Sequence, residues 1–241
     1  GNSTSDYLMV DGISYTFPVG GATVIVGDNT DGSALFTTAC VYGGPSNTLD
    51  DCGNVNAGIT GGEVAAGASY DFGNGFTAAL GYEGQGSTTS GLLTKEGQDV
   101  FGGQVTYTGD SFGLSLTYSD YEFASSDYTY TAINGYFTPD SAGSLPSISA
   151  GYEDGSTSTA NFLDTSQWFI GLQWDEVGAG TLGAAIGSAT ATAENAAENL
   201  MYEAFYSYPM NDGMTITPVV FIKETTGDDE TGVMVKTSFS F

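Results

Sequence analysis

Residues 232–241 read G-V-M-V-K-T-S-F-S-F. Val233, Val235, Thr237, Phe239 and Phe241 fall on one face, while Gly232, Met234, Lys236, Ser238 and Ser240 fall on the other. That period of two belongs to a β-strand with one apolar and one wet side. The stretch closes on an aromatic residue.

The same alternation recurs toward the N-terminus. Residues 214–223 present Ile216, Val220 and Ile222 opposite Thr215 and Thr217, with Pro218 expected at a bulge because it has no ladder donor. Residues 200–208 set Leu200, Tyr202, Ala204, Tyr206 and Tyr208 against Asn199, Glu203 and Ser207, and 181–188 pair back onto 166–175. In 166–175, Trp168, Ile170, Leu172 and Trp174 oppose Gln167, Gly171, Gln173 and Asp175, so both tryptophans face one way near opposite strand ends. A further pair is expected at 128–138 and 146–153, and a hairpin at 101–107 and 112–119. Another joins 63–72 to 76–83 through Gly73-Asn74-Gly75, a tight-turn sequence. Residues 7–17 and 22–28 complete thirteen expected strands. Between Asp28 and Gly62 lies a polar segment too long for an ordinary connection, read as a functional loop. It holds Cys40 and Cys52, which read as a disulfide formed in an oxidising compartment, against the alternative of two unpaired thiols. The loop either folds inward or only braces an exposed surface.

Alternation alone also fits a soluble β-sandwich. Three features favour an all-β, transmembrane, antiparallel up-and-down β-barrel instead. Aromatic residues gather at strand ends on the apolar face, the opposite face is small and polar with no tightly packed interior expected, and short turns alternate with long connections. Trp168, Trp174, Tyr202, Tyr208, Phe239 and Phe241 are the expected membrane-interface aromatics. No 18-residue apolar run occurs, so no transmembrane helix is expected.

The 241 residues carry 29 acids against three lysines (Lys95, Lys223 and Lys236) and no arginine, a formal charge of -26. Nothing here neutralises phosphates, which excludes nucleic acid as a partner. Without histidine the usual zinc sets and the Ser-His pair of hydrolases are both missing, so no enzyme, metal or cofactor is expected. If the aromatic face meets lipid, then Glu63, Asp71, Glu83, Glu153, Asp175 and Glu203 point into the lumen as pore-lining acids. Asp50, Asp51, Asp154, Glu194, Glu198, Asp228, Asp229 and Glu230 add to them from the loops. A wall of one sign concentrates counter-ions, which predicts cation preference. An acidic surface adhesin of the solenoid type is the rival reading, but it requires a fixed short repeat, and the strand spacing here varies.

The motifs P-S-I-S-A-G-Y (146–152), Q-W-F-I-G-L-Q-W (167–174), G-A-A-I-G (183–187), Y-E-A-F-Y (202–206), M-T-I-T-P-V-V-F (214–221) and T-S-F-S-F (237–241) carry a family likeness. In order and spacing they resemble the C-terminal part of cyanobacterial outer-membrane porins, relatives of the carbohydrate-selective OprB porins. The resemblance is strong over 146–241 and looser over 7–118. It implies a passive diffusion channel, a sixteen-stranded barrel, a homotrimer, and a last strand presented to the barrel assembly machinery. Sugar-selective relatives are associated with arginine-lined constrictions, which this chain lacks, so small inorganic cations, iron species included, are the expected solutes. An S-layer-homology domain usually precedes such a barrel, and no part of this sequence matches one. Thirteen strands is an odd number, whereas single-chain barrels of bacteria have even counts, so the chain is expected to be the C-terminal portion of a longer precursor.

Overall fold

A computed structural model describes residues 12–46, 49–61, 63–85, 91–94, 97–123, 126–140 and 145–240. The N-terminal part of the expected strand 7–17, as well as Lys95 and Phe241, lies outside them. Among the described residues every regular element is a strand: β1 Ile13–Val19, β2 Ala22–Thr30, β3 Glu63–Gly73, β4 Phe76–Gly84, β5 Asp99–Thr108, β6 Phe112–Glu122, β7 Asp127–Phe137, β8 Ser147–Ser156, β9 Thr165–Val177, β10 Gly180–Ser188, β11 Thr192–Ala193, β12 Leu200–Asn211, β13 Met214–Lys223 and β14 Glu230–Phe239.

All but β11 follow one another as antiparallel neighbours in a single up-and-down sheet, and the two-residue β11 caps β9. Among the described residues β1 pairs only with β2 and β14 only with β13. The alternation read from sequence becomes the two faces of a barrel wall. On β8, for example, Ser147, Ser149, Gly151 and Glu153 are turned inward and buried, while Ile148, Ala150 and Tyr152 are exposed. Short turns lie at one end. At Asn74-Gly75 the φ angles are 54° and 85°, the left-handed pair that a two-residue hairpin of the primed type needs. Aromatic rings gather near this end on the outer face, with Tyr70–Phe72, Phe76–Tyr107 and Tyr107–Phe112 centroids 4.9, 4.9 and 5.1 Å apart.

Two prolines behave differently from expectation. Pro18, read as a strand breaker, lies within β1, where its missing N–H falls on an unpaired edge. Pro218 makes no bulge: the β13–β14 register runs through it unshifted, and Thr217 Oγ1 lies 3.1 Å from Ser207 Oγ of β12 alongside. The shift between β12 and β13 falls at Pro209/Asn211 instead. Asp154 and Glu230, expected on loops, are an outward residue of β8 and the first residue of β14.

The outer face is apolar and bare. Leu80 is 69% exposed, flanked by Ala68 of β3 and Gly103 of β5. Such a surface is stable only against hydrocarbon. Leu80→Arg is expected to destabilise the barrel by about 2–4 kcal/mol, the cost of a cation at mid-depth of the lipid face. Urea unfolding in lipid vesicles measures it, and an unchanged midpoint would contradict this orientation.

Candidate functional site

The interior is not an open tube. The described residues of 31–61, in the connection from β2 to β3, fold into it as a strap of two arms. Along the first arm alternate backbone N–H groups donate to side chains offered by successive strands: Thr37 to Gln104 Oε1 of β5, Ala39 to Ser115 Oγ of β6, Val41 to Ser149 Oγ of β8 and Gly43 to Gln173 Oε1 of β9. The last three are 3.0 Å long. The arm is therefore an irregular segment laid across the wall, held to it by side chains rather than by a neighbouring strand's backbone.

The second arm returns over β6, β7 and β8. Asn134 of β7 donates to the Cys52 carbonyl at 2.8 Å, and Asn54 donates to Thr117 of β6 at 3.2 Å. Tyr121 of β6 donates its hydroxyl to the Asn56 carbonyl at 2.6 Å. Glycine lets both ends of the strap lie close: a methyl group on Gly151 of β8 would overlap the Cys52 carbonyl oxygen, and one on Gly81 of β4 would overlap that of Gly32. Part of the glycine-rich wet face is thus a seat for the strap, not bare pore lining. The disulfide Cys40–Cys52 joins the two arms.

An apolar nucleus closes the far end, contrary to the expected absence of a packed interior. Tyr42, Leu49 and Cys52 of the strap pack with Phe169 of β9, Met201 and Phe205 of β12 and Val219 of β13, and Met234 of β14 lies against them. The Tyr42 ring centre is 5.3 Å from Phe169 and 5.5 Å from Phe205. Burial, then the charge and hydrogen bond of Glu203, push the Tyr42 phenol far above its usual pKa, so it remains a neutral donor, 2.8 Å from Glu203 Oε1.

The six acids expected to line the pore divide into three groups. Glu83, Glu153 and Glu203 face inward but are only 2%, 1% and 3% exposed, because the strap covers them. Glu153 accepts four hydrogen bonds, from the Asn56 and Ala57 N–H groups, Asn56 Nδ2 and Gln167 Nε2, each 2.8 Å long. Glu83 accepts from the N–H groups of Gly61 and Glu63. These three carboxylates anchor the strap instead of meeting the water path. Asp71 and Asp175 are exposed near the short-turn end, where Asp71 caps the Gly73 N–H and Asp175 accepts from Gln173 and Thr181. Glu63, half-buried, stands at the opposite mouth.

Trp168, Trp174, Tyr202, Tyr208 and Phe239 all lie on the outer face. Trp168 Nε1 donates to Glu198 at 2.7 Å. Sequence reasoning missed the anchors Gln104, Ser115, Asn134, Ser149 and Gln173, as well as the inward rings of Phe169 and Phe205. One signal was available: A-L-F-T-T-A-C-V-Y at 34–42 is an apolar, strand-prone run inside an otherwise polar segment.

Three acids on the strap remain outside this anchoring set, Asp31 and Asp50, both exposed, and Asp51, half-buried. Burial pushes the Asp51 carboxyl up to about 6, and the charge of Asp50 adds to the shift. Burial also raises Asp50, opposed by its backbone hydrogen bonds and by the positive charge of Lys236.

An antiparallel up-and-down wall with a bare apolar outside, a polar inside and a connection clamped across the interior defines a porin-type barrel. The chain belongs to the Gram-negative porin family, which it matches over residues 5–230. Its place is accordingly the bacterial outer membrane. The fold is similar to that of the anion-selective porin from Comamonas acidovorans, with a TM-score of 0.69 at 13% identity over 95% of this chain and 77% of that one. It is also similar to the outer-membrane expressed OmpT of Vibrio cholerae, at 0.65 and 12% over 90% and 70%. For a triple mutant of the Rhodopseudomonas blastica porin the values are 0.63 and 15% over 96% and 77%. At these identities the likeness is one of fold. No curated protein sequence matches the chain.

Proposed function

We propose that this porin is a passive, non-catalytic diffusion channel for small hydrophilic solutes that prefers cations. The observation that carries the preference is charge: 29 acids and three lysines leave -26 on a chain without arginine, around an interior narrowed by the strap. In a narrow, low-dielectric passage a single sign of fixed charge draws in counter-ions and repels co-ions. The anion selectivity in the name of the Comamonas protein belongs to that protein. Reversal potentials in a salt gradient across a planar bilayer test the proposal. The shift should have the cation-selective sign and shrink at 1 M salt, where the screening length is roughly 3 Å. An anion-selective sign would overturn it.

The acids of the strap give this preference a pH dependence. A carboxyl raised to about 6 binds its proton more tightly in the folded strap than in an unfolded chain. Its negative charge is therefore complete above that pH and lost as pH falls through it. Between pH 7 and 5 Asp51 gives up its charge, so cation preference should decline across that window. A reversal potential flat from pH 7 to 5 would contradict the Asp51 assignment.

The motif resemblance supports a closer kinship with cyanobacterial porins, a homotrimer, and a last strand addressed to the assembly machinery. Cross-linking in native membranes tests the oligomer. Carbohydrate passage is the second reading, favoured by the same resemblance, and liposome swelling in sugars against salts separates the two. Completion of the wall by further strands is proposed as well. Thirteen consecutive antiparallel strands leave β1 and β14 running in the same direction, so only an odd number of strands between them closes the wall in antiparallel fashion. An intact mass of 24.8 kDa for the protein from its native membrane would contradict a longer precursor product.

A further inference from the structure

Five aromatic rings run in series along the inner side of the mouth opposite the short turns. Tyr121 of β6 stands across from Tyr128 of β7, on the same inward side as the buried pair Ser119 and Tyr130. Phe123 follows β6, and Phe162 comes from the connection between β8 and β9. Ring centres are 5.4 Å apart from Phe123 to Tyr121, 5.3 Å from Tyr121 to Tyr130, 5.6 Å from Tyr130 to Tyr128 and 6.2 Å from Tyr128 to Phe162. The strap accounts for the middle of the series: Ala57, Tyr130 and Ala132 form a buried cluster, with Tyr121 and Tyr128 packed against it. It does not account for the ends, where Phe123 and Phe162 are 37% and 43% exposed.

At the Phe123 end opens a cavity of about 270 Å³, with Glu63, Gln85, Gln98, Tyr121 and Phe123 in its lining. That is close to the lower limit for small-molecule pockets, about 300 Å³. Glu63 brings a half-buried carboxylate from the inner face of β3. The charges of Glu83 and Glu153 reach Tyr121, and that of Glu153 reaches Tyr130. Among the described residues the only basic side chains, Lys223 and Lys236, belong to β13 and β14. The face of an aromatic ring is the negative pole of its quadrupole, so rings and carboxylates favour the same guest, a cation with an apolar body. A neutral sugar would use the rings and the amides of Gln85 and Gln98 but gain nothing from the charge. An organic ammonium uses both.

Resting on the cation-preferring reading above, we propose that this cavity is an entry site for small organic cations, ammonium compounds with an aromatic or aliphatic body. Phe123 and Tyr121 receive the body and the ammonium head, and Glu63 supplies the opposing charge. The rings toward Phe162 extend the same surface along the wall. Such a site enriches organic amines at the mouth, a task distinct from sorting inorganic ions by sign.

Planar-bilayer recordings of the full-length protein in potassium chloride test this with benzyltrimethylammonium as the probe. The probe should interrupt the potassium current of wild type, and benzyl alcohol, the same ring without the charge, should not at equal concentration. The half-blocking concentration is expected to rise about fivefold in Phe123→Leu and about fivefold in Glu63→Gln, the loss of one ring face and of one nearby charge. Phe162→Leu should raise it about twofold. Phe112→Leu removes an exposed ring from the lipid face and should leave it at the wild-type value, which separates the cavity from partition of the probe into lipid. Heat-modifiable mobility on gels checks that each variant retains its barrel. A wild type whose reversal potential shows no cation preference would remove the reading on which the site rests. Three results in a cation-preferring channel would overturn the site and leave that reading intact: a block unchanged in Phe123→Leu and Glu63→Gln, a block weakened as much in Phe112→Leu, or a stronger block by glucose that Phe123→Leu abolishes.

Discussion

Glu153→Ala is expected to release the middle of the strap and widen the channel. The change removes the acceptor of four hydrogen bonds and leaves the Asn56 and Ala57 N–H groups without it. At about 1–3 kcal/mol for each buried donor left unmade, strap docking should lose on the order of 4 kcal/mol. The wall itself, held by its backbone ladders, should remain folded. Single-channel conductance should rise and become noisy, and liposomes should admit solutes that wild type excludes. Glu153→Gln keeps the size and one carbonyl acceptor, so its effect should be intermediate. Wild-type conductance in Glu153→Ala would show that the strap does not define the aperture.

The second large effect is expected from the disulfide. Cys40 and Cys52, 12 residues apart, connect the arm bonded to β5, β6, β8 and β9 with the arm bonded to β6, β7 and β8. Closing a loop of about this length contributes about 3 kcal/mol by restricting the open ensemble. Cys40→Ser/Cys52→Ser should therefore expose strap amides to hydrogen exchange about a hundredfold faster, at 1.4 kcal/mol per tenfold. Amides of the wall strands should exchange as before. Unchanged strap protection would mean that the hydrogen bonds alone hold it.

The wall was legible in the sequence because its code is local. A period of two needs only a few neighbouring residues, and Asn74-Gly75 declares its turn by the φ angles those residues tolerate. The strap was not legible, because its partners are remote: Asn56 and Glu153 are 97 positions apart. Gln104, Ser115, Ser149 and Gln173 look in sequence like any wet strand residue, and only the fold shows them accepting from one arm. Glu83, Glu153 and Glu203 have the correct face but a different environment, since sequence gives the direction of a side chain and not what covers it. The same gap hid Phe169 and Phe205, whose inward rings have an apolar partner only because Leu49 and Tyr42 arrive from elsewhere in the chain. Pro218 went astray for a simpler reason: a strand can forgo one ladder bond without shifting register.

The order of assembly follows from where the strap finds its acceptors. They belong to strands from β4 to β12, all later in the chain, so the strap has nothing to dock on until those strands are in register. A wall closed before its strap is seated would be wide-bored and leaky. The Cys40–Cys52 bond makes the two arms seat as one piece.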